Sequence, residues 1–508
     1  MASPKPPEKD IESTQPRPES PTDSVEKGEV IDVSKADAAL AFLRDRGDVP
    51  EMTPQDEKRL IRKIDWMIMP LMWACYVLQY LDKTLINYAA VMGLYNDANI
   101  TTDQFSDLAL IFYVSFLVFE FPHGYMMQRF PTAKYLGLMV ICWGVIVTVT
   151  SACTNYAGLV TTRVLLGVFE AAVAPSLMLI TSMWFTRAQQ PLRTGIWYLG
   201  TGTGVIIGSL ISYGFQHYTG TRFFSWQIMF LTVGLITVLA GVAVFLLLPD
   251  NPMSSRLTST EKYWALERVR PNQTGVENKT FKPRQVLECF VDPQTYMLAL
   301  ITISSNVPNG AVSSYQATII RGFGYDSKTA ALLQLPSGAV SVVSIMVATY
   351  LAGRFNQRGL NVVALLVPGI IGASLMAYLD PGNKVGRLIG NYMTNTVGAS
   401  LPLLYSWVSA NYAGHTKKVC MNAVLLMSFC IGNIIGPLTF RGSASGAFVA
   451  IIVTCLFAAA VAILLRFYYM WENKRRDKLM VEKGLHHRTD VEFADKTDRE
   501  NLEFRYTL

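Results

Sequence analysis

Apolar stretches of about 20 residues recur along most of this chain, and they constrain its fold more than any other feature. A helix of that length crosses the hydrocarbon layer of a bilayer, which is roughly 30 Å thick. The sequence therefore predicts an all-α membrane protein with twelve transmembrane helices in two six-helix halves. We number these helices as spans 1 to 12 and place them at 66–94, 106–127, 135–153, 157–184, 195–216, 227–248, 296–318, 329–352, 361–379, 387–410, 419–440 and 446–470.

The composition agrees with a membrane location. Of the 508 residues, 51% are hydrophobic and only 16% are charged, whereas soluble domains usually carry about 25% charged residues. The net charge of +6 is modest and the basic residues form short clusters, which does not indicate a nucleic-acid partner. The histidines and cysteines show no metal-ligand spacing, and no catalytic dyad or phosphate loop is found. We therefore expect neither a metal site nor an enzyme.

A polar stretch divides the chain between spans 6 and 7. The expected parts are a disordered cytoplasmic N-terminal tail over 1–57, a first six-helix half over 58–248, a cytoplasmic central loop over 249–295, a second half over 296–470 and a cytoplasmic C-terminal tail over 471–508. Lys and Arg cluster before span 1 and after span 12, so the positive-inside rule predicts cytoplasmic termini. The triplet that begins at Asn99, in an outer loop, is a predicted glycosylation site.

The two halves repeat a Gly-x-x-x-Gln-Arg pattern at equivalent turns. The residues that form it are Gly124, Gln128 and Arg129 after span 2, and Gly353, Gln357 and Arg358 after span 8. Spans 5 and 11 each carry two glycines four residues apart, a spacing that lets helices approach closely. We interpret these matches as a duplicated six-helix unit and the two turns as conformational motifs.

The turn after span 2 resembles the loop signature of the major facilitator superfamily, Gly-x-x-x-Asp-Arg-x-Gly-Arg-Arg, with Gln128 in place of Asp and Pro131 in place of Gly. Within that superfamily, four segments resemble the fungal allantoate permease group of the anion:cation symporter family. They are LDKTLINYAAVMGL, RVLLGVFEAAVAPSLMLITSMWFTRAQQPLRTGIWY, LLPDNP and RVRPNQTGVENKTFK. The resemblance covers about residues 55 to 475, and it implies a transporter whose binding site lies at the midplane between two six-helix halves.

Four charged residues lie inside predicted spans: Asp82, Lys83, Arg163 and Glu170. A charge at the bilayer centre costs about 2.5–3.5 kcal/mol, so such residues persist where they face a wet cavity and pair. Arg163 and Glu170 share one face of span 4, whereas Asp82 and Lys83 point about 100° apart. We hypothesise that Asp82 faces span 4 and Lys83 faces the cavity.

In this hypothesis Lys83, or alternatively Arg163, binds an anionic substrate, and Asp82 and Glu170 carry the coupled proton. The family resemblance implies the same roles for these four residues. The alternative is that they form a static buried salt-bridge network that holds spans 1 and 4 together.

Several polar residues are further candidates for substrate contacts: Tyr113, Tyr198, Asn309, Tyr405 and Asn422. Each is also explained by packing, by interfacial anchoring or by an interhelical hydrogen bond.

Two local features near these candidates carry predictions of their own. Pro308 and Gly310 predict a break in span 7. Glu120 and His123, at the end of span 2, are expected to brace the loop that follows.

We therefore expect a monomeric secondary active transporter in the plasma membrane of a fungal cell. It would use the proton gradient and no cofactor to import a small organic anion by alternating access. The candidate anions are carboxylates, ureides such as allantoate, and pyridine carboxylates. One alternative is an exporter of an acidic secondary metabolite, and another, from a different class, is a non-transporting nutrient receptor.

Overall fold

The computed structural model describes residues 51–186, 189–218, 220, 223–269, 282–355, 357–441, 444–482 and 497–508. These residues form α-helices, one 3-10 segment and connecting turns, with no strand among them. Nearly all of the expected N-terminal tail, residues 1–50, lies outside the described residues, as do residues 270–281 of the central loop.

All twelve predicted spans are helical, some as broken pairs of helices. Spans 1 to 6 are Pro54–Val91, Thr102–Arg129, Thr132–Thr150, Tyr156–Glu170 with Val173–Trp184, Gln190–Tyr198 with Gly200–Phe215, and Ser225–Leu247. Spans 7 to 12 are Pro293–Gly322, Ser327–Leu332 with Leu335–Phe355, Arg358–Tyr378, Lys384–Thr394 with Ser400–Asn411, His415–Leu438, and Ala444–Glu482. The helices Leu94–Asp97, Ser259–Val269 and Pro283–Val291 lie in the connections.

Among the described residues, ten segments are long and apolar enough to cross a membrane. Span 7 becomes the eleventh when it is taken with Pro283–Val291, to which it is bent by 68°. Span 10 does not qualify as one long helix because the 3-10 segment Asn395–Ala399 interrupts it. Irregular backbone at membrane depth is tolerated where it lines a cavity inside the protein.

Span 1 begins well before its predicted edge. The side chain of Thr53 accepts a hydrogen bond from the Asp56 N–H, and Pro54 occupies the first turn, where a missing N–H costs nothing. We call the end of the bundle where span 1 begins the tail face, and the end where residues 92–101 join spans 1 and 2 the loop face.

The predicted break in span 7 is wrong, because the helix continues through Pro308 and Gly310. Gly310 instead allows a close helix crossing: a Cβ there would lie 2.7 Å from the Cα of Asn433 in span 11. The proline therefore removes one backbone donor without ending the helix, and the glycine serves packing.

The paired glycines of spans 5 and 11 make equivalent crossings. A Cβ at Gly204 would lie 3.1 Å from the carbonyl oxygen of Val77 in span 1. A Cβ at Gly436 would lie 2.5 Å from the carbonyl oxygen of Val307 in span 7. Spans 1 and 5 thus approach each other as spans 7 and 11 do, which agrees with an internal repeat.

The segment 497–508 packs against the tail-face ends of spans 7, 9, 10, 11 and 12. The fully buried ammonium group of Lys417 pairs with three carboxylates, of Glu288, Asp292 and Asp498, at 3.0, 2.8 and 2.8 Å. At the other end of the segment, the carbonyl oxygen of Leu508 accepts a hydrogen bond of 2.8 Å from the Arg358 N–H. The expected tail over 471–508 thus contains the end of span 12 and a docked segment.

Candidate functional site

A cavity of about 430 Å³ lies between spans 1, 2, 4 and 5 on one side and spans 7, 8, 10 and 11 on the other. Its lining is buried near the loop face, where Tyr113 is 3% and Val312 is 7% exposed. Its lining is exposed near the tail face, where Phe121 is 57% and Val419 is 56% exposed. The cavity therefore opens toward the tail face.

Contacts between the two sets of spans close the loop face. The Asn87 amide donates to Gln334 Oε1 at 3.0 Å and accepts from the Ala317 N–H at 2.8 Å. Ser106 and Tyr315 share a hydrogen bond of 2.6 Å between their hydroxyl groups. The structure is thus the state of the molecule that is open at the tail face and closed at the loop face.

Lys83 is the one cation among the described residues that line the cavity. Its Nζ lies 5.3 Å from the ring centroid of Tyr80 and 5.2 Å from that of Tyr113. Aromatic faces attract a cation without neutralising its charge. Among the described residues, no carboxylate forms an ion pair with Lys83, so its ammonium group remains available to an anion.

Two carboxyl groups line the same cavity. Glu170 is buried, and it interacts electrostatically with Lys83 while its Oε1 has no hydrogen-bond partner among the described residues. Glu120 also lines the cavity with an unpartnered buried Oε1, so its expected role as a loop brace is wrong. His123 does brace the bundle, since its ring nitrogens contact Tyr135 Oη and the Val168 carbonyl oxygen.

Asp82 lies outside the cavity lining, although Lys83 beside it is inside. Its Oδ2 accepts hydrogen bonds from Trp143 Nε1 at 2.5 Å and from Thr237 Oγ1 at 3.1 Å. Asp82 thereby joins span 1 to spans 3 and 6. Sequence reasoning missed these partners because nothing in the local sequence around Asp82 identifies them.

Arg163 is also buried outside the cavity lining, and it interacts electrostatically with Glu170 and Asp82. Among the described residues, Asp82, Lys83, Arg163 and Glu170 form no ion pair with one another. The described state thus lacks the direct ion pairs of a salt-bridge network, and whether the four residues hold spans 1 and 4 together stays a prediction. Neutral donors hold Asp82, and aromatic rings surround Lys83.

The other candidate residues of the sequence line the cavity as well. Tyr113 donates to Asn433 Oδ1 at 3.1 Å, and Tyr198 donates to the Gly398 carbonyl oxygen at 3.4 Å. The remaining candidates in the lining are Asn309, Tyr405 and Asn422. Asn395, in the 3-10 segment of span 10, is a lining residue that the sequence did not reveal, because hydropathy does not locate a break inside an apolar span.

The two Gly-x-x-x-Gln-Arg turns differ in their contacts. Gly124 lies at the mouth of the cavity, and the Arg129 guanidinium stacks on the Tyr125 ring at 5.1 Å. The side chain of Gln128 lies outside the described residues.

In the second turn Gly353 has open space around it, the Gln357 amide oxygen accepts from Arg466, and Arg358 Nε donates to Ser406 Oγ at 2.9 Å. The roles of the two turns in conformational change stay predictions.

Asn99 is exposed on the loop face, where its glycosylation also stays a prediction.

A central cavity enclosed by membrane-spanning helices, closed at one face and open at the other, defines a membrane transport protein. The chain belongs to the Major Facilitator Superfamily, whose family model matches residues 72–437. It is therefore a multi-pass membrane transporter and not an enzyme.

Two yeast proteins are similar over almost the whole chain. The thiamine pathway transporter THI73 of Saccharomyces cerevisiae is 36% identical, over 94% of this chain and 94% of its own. The allantoate permease of the same species is 33% identical, over 95% of this chain and 92% of its own. Among solved structures, an inward-facing, occupied bacterial homologue of the human lysosomal transporter Spinster matches with a TM-score of 0.60 at 18% identity, over 78% of this chain and 96% of that chain.

Proposed function

We propose that this transporter couples proton movement to the uptake of a small organic anion, which binds in the central cavity at Lys83. The observation that carries the proposal is the ammonium group of Lys83, which lies over two aromatic rings in a largely apolar cavity and forms no ion pair among the described residues. An anion binds a cation more strongly in such a site than in water because the local dielectric constant is lower. The similarity to an allantoate permease supports an organic anion as the cargo.

Proton coupling is supported by the carboxyl groups next to that cation. Glu170 lines the cavity, and its Oε1 has no hydrogen-bond partner among the described residues. The same holds for Oδ1 of Asp82, which lies outside the lining. Ionisable groups inside a membrane bundle that reach a wet cavity are suited to proton relay. In this proposal Glu170 exchanges protons with the cavity, and Asp82 and Arg163 set the charge around it. The proton gradient is then the driving force, with no cofactor.

We further propose that the tail face is cytoplasmic, because Lys and Arg cluster there. The described state then opens to the cytoplasm, from which an imported anion leaves. The protein would act as a monomer in the plasma membrane.

The test is uptake of radiolabelled carboxylates, ureido acids and pyridine carboxylates by cells that express the protein, at acidic and at neutral external pH. Lys83→Met should lower uptake at least about tenfold, since a hydrogen bond to a charged group contributes about 1.5–3 kcal/mol. Lys83→Arg, which keeps the charge, is the matched control. Glu170→Gln should remove the acid stimulation while the protein still reaches the surface.

Other outcomes select other functions. Cells that take up no acid but lose a preloaded acid faster would show an exporter. Cells that move no acid in either direction would overturn an organic anion as the cargo.

A further inference from the structure

The two sides of the cavity differ in charge. Among the described lining residues, the charged side chains are Lys83, Glu120 and Glu170, and all three come from spans 1, 2 and 4. Within the described ranges, spans 7, 8, 10 and 11 contribute only uncharged side chains to the lining. We call the side formed by these later spans the neutral wall. A cargo anchored by its charge on one side is therefore contacted on the other by neutral polar groups.

Two asparagines of the neutral wall, Asn309 and Asn395, have their amide orientation fixed by their partners. Asn395 Nδ2 donates to the Asn391 carbonyl oxygen at 2.9 Å, and a carbonyl oxygen can only accept. Asn433 Nδ2 likewise donates to the Phe429 carbonyl oxygen at 2.8 Å, so its Oδ1 is an acceptor. Asn309 Nδ2 donates to that Oδ1 at 3.1 Å. Both Asn309 and Asn395 therefore use an N–H inside the protein.

The amide oxygens of Asn309 and Asn395 remain without a partner among the described residues. Neither oxygen is among the buried unpartnered atoms, and both residues line the cavity. These oxygens are thus acceptors that face the cavity space. An acceptor there is best satisfied by an N–H or O–H of the cargo, because a group that only accepts would leave both sides unpaired.

The backbone that carries Asn395 is held in place. Thr396, the next residue, donates through its hydroxyl to the Leu365 carbonyl oxygen at 2.9 Å. The Gly398 carbonyl oxygen accepts from Tyr198 on the opposite side of the cavity at 3.4 Å. A fixed acceptor loses little conformational entropy when a ligand binds, so it can discriminate between cargoes.

We propose that the neutral wall selects organic acids that carry N–H donors at the end remote from the carboxylate, through the amide oxygens of Asn309 and Asn395. Ureido and carboxamide acids fit this requirement. An acid whose remote end offers only acceptors leaves both of these oxygens unpaired. The inference rests on the proposed function, since it assumes that the carboxylate is held at Lys83.

The test compares two acids of the same shape in cells that express the protein. One is β-ureidopropionate, and the other is the keto acid in which carbon replaces both of its nitrogen atoms. The wild-type protein should prefer the ureido acid by at least about tenfold, because each lost hydrogen bond leaves a fixed acceptor unpaired. Asn309→Leu and Asn395→Leu should each reduce this preference, mainly by weakening uptake of the ureido acid. Asn96→Leu, at an exposed asparagine outside the cavity, should keep it.

The comparison in the wild-type protein needs no variant to fold. Equal uptake of the two acids, or a preference for the keto acid, would overturn the inference and leave the proposed function standing. Uptake of other carboxylates but of neither probe would also overturn it. Failure to move any acid would overturn the proposed function itself.

Discussion

Asp82 and Lys83 are neighbours in one helix, yet they have different surroundings. Lys83 lines the cavity over two aromatic rings, whereas Asp82 is buried against Trp143 and Thr237. The helical rotation of about 100° per residue separates them. One charge therefore faces the cavity, and the other joins three spans.

The contact between Asp82 and Trp143 can be measured at the residue scale. Trp143→Phe removes the indole N–H that donates to the Asp82 carboxylate at 2.5 Å, and Asp82→Asn removes the charge that strengthens this bond. We expect each change to lower the free energy of unfolding. The loss in the double variant should be smaller than the sum of the two single losses, by about 0.5–3 kcal/mol. Thermal unfolding of the purified protein measures this difference. Strictly additive effects would contradict a direct bond.

At the scale of elements, spans 5 and 8 cross at two glycines. A Cβ at Gly202 would lie 2.6 Å from the Gly338 carbonyl oxygen, and a Cβ at Gly338 would lie 2.6 Å from that of Gly202. We expect Gly202→Ala to cost about 1–3 kcal/mol of stability and to impair transport, because backbone cannot move aside as a flexible side chain can. Gly214→Ala is the matched control in the same span, since nothing lies within 4 Å of its Cβ position. Similar behaviour of the two variants would contradict the crossing.

The helix Ser259–Val269 is attached to span 1 by Glu261. Its carboxylate accepts from Lys63 Nζ at 2.7 Å and from the Thr258 N–H at 2.8 Å. Partial burial would raise the pKa of Glu261, but the bonds from Lys63 and Thr258 outweigh burial and hold the pKa below its ordinary value. A carboxyl group with a depressed pKa stabilises the fold above its unfolded pKa of about 4.3, and this contribution is lost as the pH falls through the folded pKa.

We therefore expect the amide protection factors in Ser259–Val269, corrected for the intrinsic exchange rate, to be high at neutral pH and to fall on acidification. Glu261→Gln should have lower protection factors at neutral pH and should lose this pH dependence. The loss of the Lys63–Glu261 pair should lower the stability of this helix against local opening by about 0.5–1 kcal/mol, since Lys63 is partly exposed. Lys63→Met should reproduce the neutral-pH effect. An unchanged profile in both variants would show that this helix is held by other contacts.

For the whole molecule, alternating access requires the loop-face contacts to break when the tail face closes. Asn87→Ala removes two hydrogen bonds to the later spans, one with Gln334 and one with the Ala317 N–H. We expect the loop face to open about five to thirty times more often, which corresponds to about 1–2 kcal/mol.

Thiol labelling of Ser106→Cys reports this opening, because Ser106 is fully buried in the described state. The background variant replaces the partly buried cysteines of the chain by serine: Cys142, Cys153 and Cys420. The labelling rate should rise when Asn87→Ala is added and should not change with Asn96→Ala at an exposed position of the same face. A rate that does not respond to Asn87→Ala would mean that other contacts close the loop face.

Hydropathy located the spans because burial in lipid needs a long apolar segment, and this requirement is local. It did not locate the 3-10 segment Asn395–Ala399, since its residues are as apolar as their surroundings. The cavity position of Lys83 was predicted from its adjacency to Asp82. The position of Glu120 in the lining and the partners of Asp82 were not, because they depend on how distant spans pack.

The docked segment 497–508 has a consequence for the synthesis of the protein. Its residues complete the surroundings of Lys417 and Arg358, which precede it by many residues in the chain. The buried ammonium group of Lys417 therefore lacks the Asp498 carboxylate until residue 498 has left the ribosome. The tail-face end of the later spans can reach its final packing only after residues 497–508 emerge, so this packing is completed later than the membrane insertion of the helices that precede them.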